Sequence, residues 1–156
     1  VIFATVGSTQ IRFDRFICAL ETLSAEQLFV QHGPMAAPAG ADRAVAYMQF
    51  PEVVESMEQA DTVVCHAGAG SILCALRAGH TPVVMPRLKR FEETVDDHQV
   101  EFSRALAAQG KVIAVEDPDL LRVAVASAPR RRSPQEQTAL RPIQVAVREA
   151  LRGAPA

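Results

Sequence analysis

Tryptophan is absent from these 156 residues, tyrosine occurs once and cysteine only three times. Cys18, Cys65 and Cys74 are odd in number, sit in apolar stretches and lack paired metal-ligand spacing. That argues against a disulfide framework or a zinc site and for reduced thiols in a cytosolic protein, where small core residues are their ordinary use. No apolar run approaches the roughly 20 residues of a membrane span, and Val1 to Val6 is too short for the core of a signal peptide. The expectation is a soluble chain. Net charge is lacking as well: a formal −2 with a pI near 6.1 gives no general attraction to nucleic acid. Two nucleotide signatures are missing too. There is no Gly-x-Gly-x-x-Gly after the first apolar run and no lysine after the glycines of residues 68–71; no metal is expected. Dinucleotide and nucleoside-triphosphate readings fall with them.

What is present is an alternation. With 49% hydrophobic residues the chain has material for one domain with a proper core. Val1 to Val6 reads as a buried parallel strand ending at Gly7, and Phe13, Phe16, Ile17, Leu20 and Leu23 recur at helical spacing over about Phe13 to Leu23. Leu28 to Val30 is a second strand, closed by Gln31-His32-Gly33; Pro34 to Ala41 is an aperiodic loop; Val45 to Phe50 reads as a third strand. Pro51 suits the first position of a helix whose inner stripe is Val53, Val54, Met57 and Ala60. Thr62 to Cys65 is a strand, His66 to Ser71 a tight loop and Ile72 to Ala78 a helix stopped by Gly79. Val83 to Met85 is a strand, Arg87 to Val95 a loop, and Asp96 or Asp97 caps a helix running to Gln109. Lys111 to Val115 is a strand, and Asp117-Pro118 opens a further helix. This repeat predicts an α/β fold: a Rossmann-like parallel sheet with helices on both faces and ligands at the carboxyl ends of the strands.

The chemistry concentrates between Asp61 and Arg87. A strand that breaks into a glycine turn and feeds a helix aims unbonded N–H groups at the space above the sheet, where the helix dipole favours an anion. A phosphate is the obvious guest.

His66-Ala67-Gly68-Ala69-Gly70-Ser71, then Ala78-Gly79, Pro82, Pro86-Arg87, Glu93 and Asp97-His98-Gln99 resemble, in order and spacing, the donor-binding half of GT-B glycosyltransferases of family 28. The resemblance runs from Val1 to about Val125 and is strongest to small stand-alone subunits. It implies a UDP-sugar donor, no cofactor, and a membrane-anchored partner subunit that carries the lipid-linked acceptor. It also implies that His66, Gly68, Gly70 and Ser71 meet the diphosphate, with Gly7, Ser8 and Thr9 facing it from the turn after the first strand. An ordinary turn accounts equally for Ser8 and Thr9. Asp97, His98 and Gln99 would read sugar hydroxyls, Gln99 foremost, while Asp97 serves equally as a helix cap. Glu93 is implied in a ribose or sugar contact. Arg87, with Lys89 and Arg90, would neutralise phosphate or a uronate carboxylate, although a solvated charge cluster explains these residues almost as well. One position departs from the family: Cys74 stands where relatives place a glutamate on the ribose hydroxyls.

The expected organisation is a donor-binding domain over 1–128 and, over 129–156, a basic linker (Pro129 to Pro134) and a terminal helix interrupted near Pro142, used for docking to the partner. A solvated linker and a helix that merely closes the domain explain the tail as well, since three arginines are fewer than a convincing polybasic site has. The general base is expected on the partner, and the chain is expected in the cytoplasm, peripheral at the membrane through that partner. Two functional readings follow: the catalytic donor-binding subunit of an inverting transferase, or a nucleotide-sugar binder without catalysis that retains the fold.

Overall fold

The computed structural model describes residues 1–23, 27–131, 147, 149, 151 and 152; within residues 1–131 the described segments form six parallel strands and five α-helices, a helix following each strand except the second. The strands are β1 (Ile2–Thr5), β2 (Leu28–Gln31), β3 (Arg43–Val45), β4 (Thr62–His66), β5 (Val83–Met85) and β6 (Ile113–Ala114). The helices are α1 (Asp14–Leu20), α2 (Phe50–Gln59), α3 (Ala69–Arg77), α4 (His98–Ala108) and α5 (Leu121–Ser127). Strand order is β3-β2-β1-β4-β5-β6, and every pairing is parallel.

The period of two along each strand sends alternate side chains to opposite faces. Ile2, Ala4, Val64, Val83 and Met85 join Phe16 and Leu20 of α1 and Leu121 of α5 in one core layer. Phe3 and Val63 meet Met57 of α2 and Ala75 of α3 on the opposite side. Cys65 and Val84 pack there with Ile72 and Leu76 of α3 and with Phe102 and Leu106 of α4. With both faces covered, β1 and β5 are buried along their whole length and read as unbroken apolar runs.

Several boundaries differ from the sequence reading. The third strand lies at Arg43–Val45 rather than 45–50: the Asp42 carboxylate accepts the N–H of Leu28 at 2.8 Å, which draws the pairing N-terminal. Gln49 and Phe50 are taken by the start of α2, where the Gln49 N–H donates to Glu52 at 2.7 Å and Pro51 has no N–H for a ladder. The segment after β4 is shorter than expected, because α3 begins at Ala69 with Gly68 as its N-cap, placing Gly70 and Ser71 in the first turn. Only Ile113–Ala114 pair in the last strand, although Val112 and Val115 are buried as expected. The helix of 13–23 ends as a 3₁₀ turn over Glu21–Leu23, and another 3₁₀ turn, Lys89–Phe91, occupies the loop after β5.

Most of the expected linker and terminal helix lies outside the described residues. Within them, Arg131 donates to the carbonyl of Ala78 at 2.7 Å and to that of Glu58, and helical Val147 is buried against the layer of Ile72, Leu76 and Phe102. Among the described residues no helix is long and apolar enough to cross a membrane.

Candidate functional site

The strand order reverses between β1 and β4, and their neighbouring carboxyl ends open the crevice in which such sheets take ligands. Gly7 follows β1 with φ of +82°, and its N–H donates to Thr5 Oγ1 at 3.0 Å. His66 closes β4. Its ring lies between two glycines: a Cβ on Gly7 would come 2.5 Å from His66 Nε2, and one on Gly68 would come 2.2 Å from Cε1. Both positions are glycine because the imidazole occupies the space of any side chain there.

That ring has a defined tautomer. Its Nδ1 accepts the N–H of Gly68 at 3.1 Å, so the proton is on Nε2, which faces Ser71 Oγ at 3.0 Å and donates to it. Burial, reinforced by the positive charge of Arg87, lowers the His66 pKa from 6.5 to about 4. His66 is therefore neutral at pH 7. It orients Ser71 and offers no positive charge of its own, while the Ser71 hydroxyl keeps its own proton to donate to a guest.

The first turn of α3 supplies further donors, since the N–H groups of Ala69, Gly70 and Ser71 precede the first intrahelical bond, from Ile72 to Gly68. A Cβ on Gly70 would meet nothing within 4 Å. Gly70, Ser71, Gly7, Ser8, Thr9 and His66 thus line one cavity of about 350 Å³, whereas Gly68, grouped with them in the sequence reading, is not part of its lining. Thr9 has a second job, its hydroxyl accepting the N–H of Ile11 at 3.2 Å.

The loop after β5 forms the opposite wall, and here the expected roles change. Arg87 borders the cavity but is buried. Its guanidinium donates to the carbonyls of Val6, Ile11, Arg12 (each 3.1 Å) and Glu93 (3.2 Å), and it stacks 4.6 Å from the Phe13 ring centroid. It therefore ties the β5 loop to the β1 loop rather than offering a solvated charge. Its Nε alone has no partner among the described residues. Glu93 is likewise committed, accepting from Arg15 at 3.1 and 2.9 Å and from the Leu88 N–H at 2.9 Å. A direct sugar contact by either side chain would break these bonds.

Asp97 neither caps α4 with its side chain nor lines the cavity; it accepts the N–H of Lys89 at 3.0 Å. The His98 ring lies 2.8 Å from Asp96, half-exposed. Gln99 does reach the cavity. Its Oε1 accepts the Arg87 N–H at 3.1 Å, which leaves the amide NH₂ as the end available to a ligand. Lys89 and Arg90 are exposed.

A second cavity, of about 280 Å³, adjoins the first and shares Gly7, Ser8, Gly70 and Ser71 with it. Its other lining includes Thr5, Gln31, Phe50 and Cys74. Burial raises the Cys74 thiol pKa, so it is a neutral group at this wall. Sequence reasoning missed Arg15, Thr5 and Gln31. Gln31 carries the one available signal, a polar residue ending a buried apolar strand. Among the described residues no three His, Cys, Asp or Glu side chains group as metal ligands.

A parallel sheet of this order, with its crevice at the β1/β4 reversal, is a Rossmann-like α/β domain of the kind that forms one half of a GT-B glycosyltransferase. Residues 1–150 match the glycosyltransferase family 28 C-terminal domain, and the chain belongs to that family. Two curated relatives are both described as UDP-N-acetylglucosamine transferase subunit ALG13. The one from Yarrowia lipolytica is 35% identical over 68 residues, 44% of this chain, and the one from Mus musculus 30% identical over 122 residues, 69% of it. The matches span only 33% and 10% of those relatives. The crystallised glycotransferase of kitacinnamycin superposes with a TM-score of 0.60 over 98% of this chain and 41% of its own, at 21% identity, a likeness of fold.

Proposed function

We propose that the chain is the donor-binding catalytic subunit of an inverting UDP-sugar glycosyltransferase. In this reading it works beside a membrane-anchored partner that presents a lipid-linked acceptor. The observation that carries the proposal is the cavity at the β1/β4 reversal. There the turn after β1, the first turn of α3 and the Ser71 hydroxyl form a cradle rich in donors and suited to a diphosphate. Family membership and the ALG13 relatives support a UDP-sugar as the diphosphate's bearer.

The two adjoining cavities suggest the donor's orientation. The diphosphate lies at their shared wall, the sugar toward the Gln99 amide, and the nucleoside toward the apolar Met48, Phe50 and Val53. As the anomeric bond breaks, negative charge grows on the departing UDP. The N–H groups of α3 and the Ser71 hydroxyl meet it without a cofactor. Gln99 and the loop held by Arg87 fix the sugar for attack from the opposite face, with the general base on the partner.

A transfer assay with labelled UDP-sugars and a lipid-linked acceptor tests this reading. Turnover is expected only when the partner subunit is added, and full-rate transfer by the chain alone would overturn the two-component arrangement. A non-catalytic nucleotide-sugar binder is the second reading, favoured by neutral Cys74 in the nucleoside cavity. Donor binding with no turnover beside the partner would select it.

A further inference from the structure

Gln31 ends β2 and is 3% exposed, although it is a polar side chain lining the smaller cavity. Its amide is held in one sense by a short relay. The Gly7 N–H donates to Thr5 Oγ1 at 3.0 Å, and the Thr5 hydroxyl donates in turn to Gln31 Oε1 at 2.5 Å. The carbonyl end of the amide is therefore used, and the NH₂ end bonds none of the described residues. Thr5 and Gln31 are register partners in the sheet, so the relay stands on the two adjacent strands that floor the cavity.

Gln31 lines the cavity, so its NH₂ is in position to donate to a ligand oxygen there. None of the lining residues is charged, and Phe50, 67% exposed, offers an aromatic face. Such walls suit a planar base and its ribose better than a second phosphate.

We infer that Gln31 is a specificity-determining residue of the donor site: its amide NH₂ donates to an oxygen of the nucleoside half of the ligand, either a base carbonyl or a ribose hydroxyl. This inference rests on the nucleotide-sugar reading above and adds to it the residue that reads the nucleoside. Gly7 belongs to both parts of the device, since the N–H that sets the relay comes from the turn that also faces the diphosphate. Occupancy by diphosphate and recognition of the nucleoside are thereby built on one turn.

The test combines amide NMR of the full chain with calorimetry. On adding UDP to the wild-type chain, the Gln31 side-chain NH₂ pair, assigned by through-bond correlation to its own backbone, is expected to move downfield. Inorganic pyrophosphate is expected to leave it in place. The Kd for UDP should rise about tenfold in Gln31→Met. Repeating the comparison with 2′-deoxy-UDP narrows the oxygen: a loss that vanishes assigns the 2′-hydroxyl, and a loss that persists assigns a base carbonyl or the 3′-hydroxyl. The inference is overturned if UDP binds while the NH₂ pair stays in place and the Kd of Gln31→Met is within twofold of wild type. An equal shift with pyrophosphate also overturns it, by assigning a phosphate contact. Absence of any UDP binding by the wild-type chain at millimolar ligand is a different outcome, which removes the nucleotide-sugar reading itself. The resonance shift uses the wild-type chain and decides the matter even where Gln31→Met fails to fold.

Discussion

The imidazole of His66 fills the space that any side chain on Gly68 would need: a Cβ there would lie 2.2 Å from Cε1. Gly68 has an extended backbone, φ −75° and ψ 135°, that any residue adopts, so its requirement for glycine is set by contact with His66 and not by torsion. Gly68→Ala is expected to push the ring out and destabilise the chain by about 1–3 kcal/mol. In a His66→Ala background the same substitution should cost well under half as much. A double-mutant cycle in denaturant measures the coupling, and additive costs would show that the two residues do not share that space.

Stability should depend on pH through the same ring. Its folded pKa of about 4 lies below the 6.5 of an ordinary histidine. Between these values the unfolded chain takes up a proton that the native chain refuses. The contribution is fully present above pH 6.5 and is lost as pH falls toward 4, reaching up to about 3 kcal/mol. His80, also lowered by burial and bonded to the Met57 carbonyl at 2.7 Å, acts in the same sense. Unfolding midpoints from pH 7 to 4 should therefore drop steeply in the wild type and less steeply in His66→Gln.

Glu93 and Arg15 join the loop after β5 to α1 through an ion pair of 2.9 Å, with side chains 6% and 14% exposed. Removing the carboxylate leaves a largely buried guanidinium with only the carbonyls of Pro86 and Glu116. Glu93→Ala is expected to lower stability by about 3 kcal/mol. Binding of UDP-sugar should weaken at temperatures well below unfolding, because the loop whose Arg87 N–H holds Gln99 of α4 loosens. Urea melts and calorimetry check the two effects separately.

Gln99→Ala separates the ends of the donor. If its NH₂ meets the sugar, the variant should lose about tenfold in affinity for UDP-sugar and little for UDP. Equal losses for both ligands would place Gln99 at the diphosphate instead.

The sheet, its parallel sense and most of its helices were legible because strands buried on both faces must be apolar throughout, as Val83 to Met85 are, and because glycine and proline mark the ends. The convergence of Gly7, Ser8, Thr9, His66, Gly70 and Ser71 was legible from local pattern and family resemblance together. The third strand was displaced because the Asp42 carboxylate bonds across to Leu28, a contact invisible along the chain. In the sequence, Glu93 has a ligand role only through the family resemblance, and a solvated charge cluster accounts for Arg87 almost as well as a ligand contact. Only the fold brings the carbonyls of Val6, Ile11 and Arg12 around one guanidinium and sets Arg15 opposite Glu93. Gln31 was passed over as a strand ending, since its partner Thr5 is 26 residues away.

The central claim is that the cradle at the β1/β4 reversal binds the diphosphate of a UDP-sugar through Ser71 and the first turn of α3. Titration calorimetry of the chain with UDP tests it most directly. The account predicts saturable one-to-one binding that weakens about tenfold in Ser71→Ala, whose fold should be unchanged. Absence of UDP binding at millimolar ligand, or equal affinity in Ser71→Ala, would contradict it.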